Sequence, residues 1–254
     1  MLVLALDTTA KTASCAVLEK DADGERMRAV STVCGTLTHS ETMLPMIEKM
    51  LGNIGKKTAD IDLFAVSAGP GSFTGVRIGA AMVKGLAFGT GKPCVGVSTL
   101  EALAENLRVI TENVPDSVVV PVMDARRGQV YTAVFGNEGR ISEDSLVTLE
   151  ELKIFLETPD FTGKKIFFTG DGYDLAKKFF GVDDRVSDTP ALLVPQNAYL
   201  VARVALMTYE NADDKSAFTD KTLHPVYLRA SQAEREREEK IKTKLKENLQ
   251  NWKR

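Results

Sequence analysis

Asp7-Thr8-Thr9 closes an apolar run, Leu2–Leu6, and a second apolar run, Ser14–Leu18, follows it. Asp124-Ala125-Arg126-Arg127 repeats the arrangement between Val118–Met123 and Val130–Phe135. A strand, an acidic turn and a second strand can aim backbone N–H groups and hydroxyls at a phosphate, with the aspartate holding a metal ion or a water. Asp7, Thr8 and Asp124 are therefore candidate nucleotide-phosphate residues. Arg126 and Arg127 would suit an anion or an ion pair. The competing reading is conformational, because Asp and Thr also stabilise tight turns by bonding their own backbone. Two hairpins of one design predict a duplicated, two-lobed fold with a cleft between the lobes.

Gly69-Pro70-Gly71-Ser72-Phe73-Thr74-Gly75 follows a predicted strand and opens a predicted helix. Its glycine spacing departs from the dinucleotide fingerprint, and no Gly-Lys-Ser/Thr follows, so it is not a P-loop. The helix start could bind an anion, or the glycines could serve a tight turn. Gly75 and Gly79, with Ala80, Ala81 and Gly85, would let another element approach closely, either inside the fold or across a subunit interface. Gly170-Asp171-Gly172 is the nearest thing to a second glycine loop. His39 and His224 are the only histidines, far apart and without ligand-spaced neighbours, which argues against a metal centre and against a Ser/His/Asp triad. His39 suits a capping or interface role. Cys15, Cys34 and Cys94 form no C-x-x-C pair and read as buried thiols in a reducing compartment.

These residues need elements to hold them. Strands are expected at 2–7, 13–19 and 28–34, then a helix at 42–51 whose apolar positions Met43, Leu44, Ile47, Met50 and Leu51 share one face. Thr42 as its cap would make Pro45 harmless. A buried strand at 61–68, a helix at 74–88 and a strand at 93–97 follow, and Ser98-Thr99-Leu100-Glu101 is a capping box that starts another helix. The second half repeats the scheme with strands at 118–123, 129–136 and 165–169, and helices near 148–157, 172–180 and 197–209. Alternation of this kind makes an α/β fold. Residues 1–98, with about 197–232 returning to them, are expected to form the first lobe and 99–196 the second.

A chain of 254 residues with net charge −3 can bury an ordinary core without disulfide or metal. The charge argues against nucleic-acid binding by bulk electrostatics. No apolar run approaches membrane-spanning length. The first residues lack a basic leader, so no signal peptide is expected. From Ala233 onward the chain carries eight Lys or Arg against five Glu and a lone apolar stripe, Ile241, Leu245, Leu249 and Trp252. That pattern predicts a charged helical tail over 233–254, supported by the pairs Glu236–Lys240 and Glu238–Lys242.

Asp7-Thr8-Thr9, His39-Ser40-Glu41, Ala68–Gly79, Val95–Leu103 and Asp124–Arg127 together resemble the bacterial TsaB (YeaZ) family of tRNA threonylcarbamoyladenosine biosynthesis. The resemblance is close over 1–135 and looser over 136–232, including Pro225-Val226-Tyr227-Leu228-Arg229, and stops before the tail. It implies an actin/Hsp70/sugar-kinase-like (ASKHA) fold and a cytoplasmic, non-catalytic subunit without a cofactor of its own. Its implied partners are the catalytic threonylcarbamoyltransferase paralogue, TsaD, which modifies adenosine 37 of ANN-decoding tRNAs, and an ATPase that uses ATP. Contact with tRNA would be indirect. The paralogue carries two metal-binding histidines four residues apart after a Val-Gly-Val strand. Thr99 and Leu103 stand there in this chain, and neither replaces imidazole. The 42–51 and 74–88 helices would dock on the paralogue, or form a two-fold homodimer in its absence. His39, Met43, Met46, Ile47, Met50, Val76, Ile78 and Met82 are the expected interface residues, Met being suited to adaptable contacts. Two other readings remain: an ATP-dependent kinase or ATPase with magnesium-phosphate on Asp7 and Asp124, and a metallopeptidase, against which the absent histidine pair speaks.

Overall fold

Residues 1–35 and 38–229 are described by the structure, a computed structural model. The predicted tail, 233–254, lies outside the described residues.

The first half of the chain runs β1 (Leu2–Asp7), β2 (Thr12–Asp21), β3 (Gly24–Cys34), α1 (His39–Asn53), β4 (Leu63–Gly69), α2 (Phe73–Thr90), β5 (Cys94–Ser98), α3 (Thr99–Glu105) and α4 (Arg108–Thr111). The second runs β6 (Ser117–Asp124), β7 (Gln129–Thr132), β8 (Phe135–Gly136), β9 (Gly139–Arg140), β10 (Ser145–Thr148), α5 (Leu149–Leu156), β11 (Lys165–Thr169), α6 (Tyr173–Phe180) and β12 (Val186–Ser187), and α7 (Ala198–Asn211) follows. The first sheet is ordered β3-β2-β1-β4-β5 and the second β10-β7-β6-β11-β12, with β8 and β9 attached beside β6. With β8 and β9 set aside, the strands of each sheet stand in the order third, second, first, fourth, fifth. The duplication read from the two hairpins is thus a duplication of topology, and the fold is of the ASKHA type.

Helices cover both faces of each sheet, which is why β1, β4, β6 and β11 are almost wholly apolar. On the first sheet, Leu2, Leu4 and Leu6 face α1 and α2, while Val3 and Ala5 face α7. On the second, Val118, Val120 and Val122 face α5 and α6, while Val119 and Met123 face Leu100, Leu103 and Leu107. Ala102 of α3 packs in the α7 cluster. α3 therefore reaches both sheets, and it sets how the lobes meet.

Three expectations need correction. α1 begins at His39, not near 42, with Thr38 at the N-cap and Pro45 inside the helix. Pro45 is exposed, so the carbonyl left without an amide partner can be hydrated. The run 129–136 is not one strand: β7 pairs with β6 through Val122–Asp124, and β8 pairs with β6 at Val119. The short strands β10 and β12 carry no alternation strong enough to read. Two cysteines are buried, but Cys34 is exposed at the end of β3.

Candidate functional site

The two acidic turns face each other across a cleft of about 770 Å³ between the lobes. Thr9, Lys11 and His39 line it from the first lobe, Asp124, Arg126, Arg127 and Asp171 from the second, and Tyr227 and Arg229 from the returning chain.

Asp7 does not open onto this cleft. It is buried, and both carboxylate oxygens are occupied. Oδ1 accepts from the Thr9 amide at 2.9 Å and the Thr9 hydroxyl at 2.7 Å, and Oδ2 accepts from the Ser67 hydroxyl at 2.6 Å. Burial pushes its carboxyl above the ordinary Asp value, against the pull of those three donors. Thr8 is fully buried, and its hydroxyl donates to the Gly75 carbonyl at 2.7 Å. Thr8 therefore has no hydroxyl proton left for a phosphate. The conformational reading of this turn is the one the geometry supports.

The glycine loop explains why. A Cβ on Gly75 would lie 1.9 Å from the Thr8 carbonyl oxygen, and one on Gly79 would lie 2.6 Å from the Thr8 hydroxyl. The Ser72 amide donates to the Thr9 carbonyl at 2.7 Å, and the Ser72 hydroxyl caps α2 through the Gly75 amide. The glycines bring α2 against the β1–β2 turn, so Gly75 and Gly79 serve internal packing. Ala81, Gly85 and Gly89 on the same helix are exposed.

The second lobe repeats the arrangement more openly. The Asp124 amide donates to Asp171 Oδ1 at 3.2 Å, and Asp124 Oδ1 accepts from the Arg126 amide at 2.7 Å. A Cβ on Gly170 would meet the Val122 carbonyl at 2.5 Å, so the Gly170-Asp171-Gly172 turn sits on β6 as the longer loop sits on β1. Arg126 and Arg127 both adopt left-handed φ, 62° and 56°. Partial desolvation and neighbouring Asp124 raise the Asp171 carboxyl to about 6. Asp124 thus lines the cleft. Asp171 was legible only as the middle of a short glycine turn, and pairing the two lobes strand by strand would have placed it.

His39 begins α1, and its Nε2–H donates to the Ala10 carbonyl at 2.8 Å, fixing the helix to the β1–β2 turn. Thr99 is the first residue of α3 and fully buried. Leu103 is packed against Leu100, Leu107 and Met123. Among the described residues no group of three or more His, Cys, Asp or Glu is placed to hold a metal ion.

The expected interface residues divide sharply. Met43, Ile47 and Met50 lie in the core between α1 and the first sheet, and Val76 is buried on the inner side of α2. These four cannot meet a partner, because the apolar face read from the spacing is the inner face of each helix. Met46 and Met82 are partly buried against that core. Ile78 is half-buried, and it shares an outward stripe of α2 with Ala81, Gly85 and Phe88, which is 78% exposed. Leu44 and Pro45 are exposed on α1, which contacts α2. Phe88 falls outside the core-facing period of its helix, whereas Leu44, which the spacing groups with the apolar face of α1, is exposed instead.

The returning chain bridges the lobes. The Val226 amide donates to the Ala68 carbonyl at 2.7 Å. Tyr227 stacks on Phe73 with ring centroids 4.9 Å apart, and the Arg77 Nε donates to its hydroxyl at 2.8 Å. Arg229 donates to the Ala125 carbonyl at 2.7 Å and to the Gln129 side chain.

Residues 36–236 match the family described as TsaD, tRNA N6-adenosine threonylcarbamoyltransferase. The chain is 32% identical over 182 residues to the tRNA threonylcarbamoyladenosine biosynthesis protein TsaB of Bacillus subtilis (strain 168), spanning 70% of this chain and 74% of the relative. It is 38% identical over 135 residues to the Escherichia coli (strain K12) protein of the same description, a match spanning 53% of this chain and 55% of that one, about half of each. A crystal structure described as an uncharacterized protein with similarity to peptidase YEAZ from Pseudomonas aeruginosa superposes with a TM-score of 0.69 at 26% identity, covering 90% of this chain and 99% of that one.

Proposed function

This chain belongs to the TsaB branch of the tRNA N6-adenosine threonylcarbamoyltransferase family and takes part in tRNA threonylcarbamoyladenosine biosynthesis, and we propose that it does so as a non-catalytic partner subunit. In this reading the catalytic paralogue performs the transfer to adenosine 37, an ATPase partner uses the ATP, and this chain activates the paralogue by docking on it in the cytoplasm. Alone, it pairs with a second copy through the same surface.

The observation that carries the reading is the buried state of the turn that would otherwise hold a ligand. Asp7 spends both oxygens on Thr9 and Ser67, and Thr8 spends its proton on Gly75. Leu103, at a histidine position of the catalytic paralogue, is a core side chain. Retained Asp7 thus supports the fold. The outward stripe Ile78, Ala81, Gly85 and Phe88 on α2, flanked by Leu44, supports that surface. Small residues at its centre let an equivalent helix approach closely, and Phe88 supplies a large anchor. Related folds offer related faces, so the same stripe serves both heterodimer and homodimer.

The test is reconstitution of tRNA threonylcarbamoylation with purified catalytic paralogue and ATPase partner, with and without this chain. Modification should depend on the chain and survive Asp124→Asn. Modification indifferent to the chain would sink the reading.

One observation favours a second reading. The cleft carries Lys11, Arg126 and Arg127 beside Asp124 and Asp171, a lining that suits magnesium-phosphate in a kinase or ATPase. Metal-dependent ATP turnover by the isolated chain, lost in Asp124→Asn, would establish it.

A further inference from the structure

We propose that the outer face of α6 is the docking site of this chain's own C-terminal segment. Leu175 and Phe179 are 44% and 37% exposed, and Val182, just past the helix end, is 96% exposed. They stand at i, i+4 and i+7, a second apolar stripe on a helix whose inner face, Ala176 and Phe180, is already buried on the second sheet. On neighbouring α5, Ile154 and Phe155 are also exposed. Scattered apolar residues need no partner, but a second stripe at helical spacing marks a contact face.

The occupant follows from where the described chain ends. Arg229 is held by Ala125 and Gln129, at the β6–β7 turn of the second lobe. α6 starts at the same end of that sheet: the Gly172 amide donates to Val122 in β6, and Asp171 meets Asp124. The stripe on α6 therefore begins beside the point from which the last residues depart. Those residues, from Ala230 to Arg254, carry one apolar stripe, Ile241, Leu245, Leu249 and Trp252, spaced i, i+4, i+8 and i+11. Eleven residues separate Arg229 from Ile241, and at about 3.3 Å each they span roughly 35 Å when extended. At helical spacing the tail positions 241–252 would cover about 16 Å, enough to lie over Leu175, Phe179 and Val182, which span about 10 Å.

Charge points the same way. Ala230–Arg254 hold eight Lys or Arg against five Glu, while the rest of the chain holds 24 against 30. A basic segment thus returns to an acidic body; beside the stripe itself Asp174 and Asp184 stand with Lys178, while Lys177 is paired with Asp188. Apolar docking closes the contact, and the charges favour it at low salt.

Trp252 is the single tryptophan of the chain, so its fluorescence reads the contact directly in the full-length protein. The expected result is blue-shifted emission, poorly quenched by acrylamide and independent of protein concentration. The double variant Leu175→Asp/Phe179→Asp should shift emission to the red and raise quenching severalfold. Leu245→Asp should do the same without touching the body, which guards against loss of fold in the first variant, and far-UV circular dichroism checks both. Emission already red in the wild type, or unmoved by either variant, would overturn the proposal. So would shielding that grows with protein concentration, which assigns the tail to a second copy, or shielding that needs added tRNA, which makes it an RNA-binding arm.

Discussion

Thr8 and Gly75 are locked together across the joint between β1 and α2. The Thr8 hydroxyl donates to the Gly75 carbonyl at 2.7 Å, and a Cβ on Gly75 would come within 1.9 Å of the Thr8 carbonyl oxygen. A turn and a helix start, each of which could by its residues bind an anion, are instead each other's packing surface.

Gly75→Ala should therefore destabilise the fold by about 3 kcal/mol or more, because the clash is with backbone that cannot rotate away. Gly85→Ala is the control. Nothing lies within 4 Å of its added Cβ, and it sits mid-helix, so it should stabilise by about 0.5–1 kcal/mol. Urea unfolding of the two variants checks both signs. Equal midpoints would mean the glycine loop is not tightly seated on the turn.

Asp7 tests whether its charge or its acceptors matter. Asp7→Asn keeps an acceptor for Thr9 and removes a carboxylate that burial holds above its usual titration range, so the loss should stay below about 1.5 kcal/mol. Asp7→Ala strands the buried Thr9 amide and should cost about 2–3 kcal/mol. The sign of the pH effect follows from the raised value. A carboxyl whose folded pKa exceeds its unfolded one stabilises fully below the unfolded value and loses that contribution as pH rises through the folded value. Denaturation measured from pH 3 upward should show this loss in wild type and its absence in Asp7→Asn.

Core and surface methionine-helix positions should separate cleanly. Met43→Ala removes a buried side chain and should cost about 2–5 kcal/mol. Phe88→Asp, at a 78% exposed position, should leave stability within about 0.5 kcal/mol yet abolish self-association and docking on the catalytic paralogue. Sedimentation of Phe88→Asp and of Ile78→Asp at matched concentrations measures it. Wild-type association by both variants would move the interface off α2.

The sequence carried more of the fold than of the surface, for physical reasons visible at particular residues. β1, β4, β6 and β11 were legible because strands covered on both faces must be nearly all apolar. β10 and β12 were not, because short edge strands depend on their partners more than on their own pattern. Met43, Ile47, Met50 and Val76 were assigned outward because helical periodicity finds an apolar face without saying what covers it. The covering element was the chain's own first sheet. Asp124 was found through its resemblance to Asp7, yet only Asp124 opens to the cleft. The difference lies in the partners: Thr9 and Ser67 close around Asp7, whereas Asp124 is left with a backbone amide and a second acid.

That second acid gives the last prediction. Asp171, raised to about 6 by desolvation and then by Asp124, lies at an open cleft where water still reaches it. Its folded pKa exceeds the unfolded value near 3.8, so the protonated form favours the native state. The contribution is present below about pH 3.8 and is lost as pH rises through about 6. Asp171→Asn should be indistinguishable from wild type near pH 3.5 and more stable above pH 6, the gain held below about 1 kcal/mol by solvent screening. Carbon-detected titration of the Asp171 carboxyl tests the cause separately: Asp124→Asn should lower its midpoint, because one repelling charge has gone. A midpoint near the ordinary Asp value in wild type would mean the cleft is wetter than its lining suggests. Lys11, Arg126 and Arg127 would then govern its electrostatics instead.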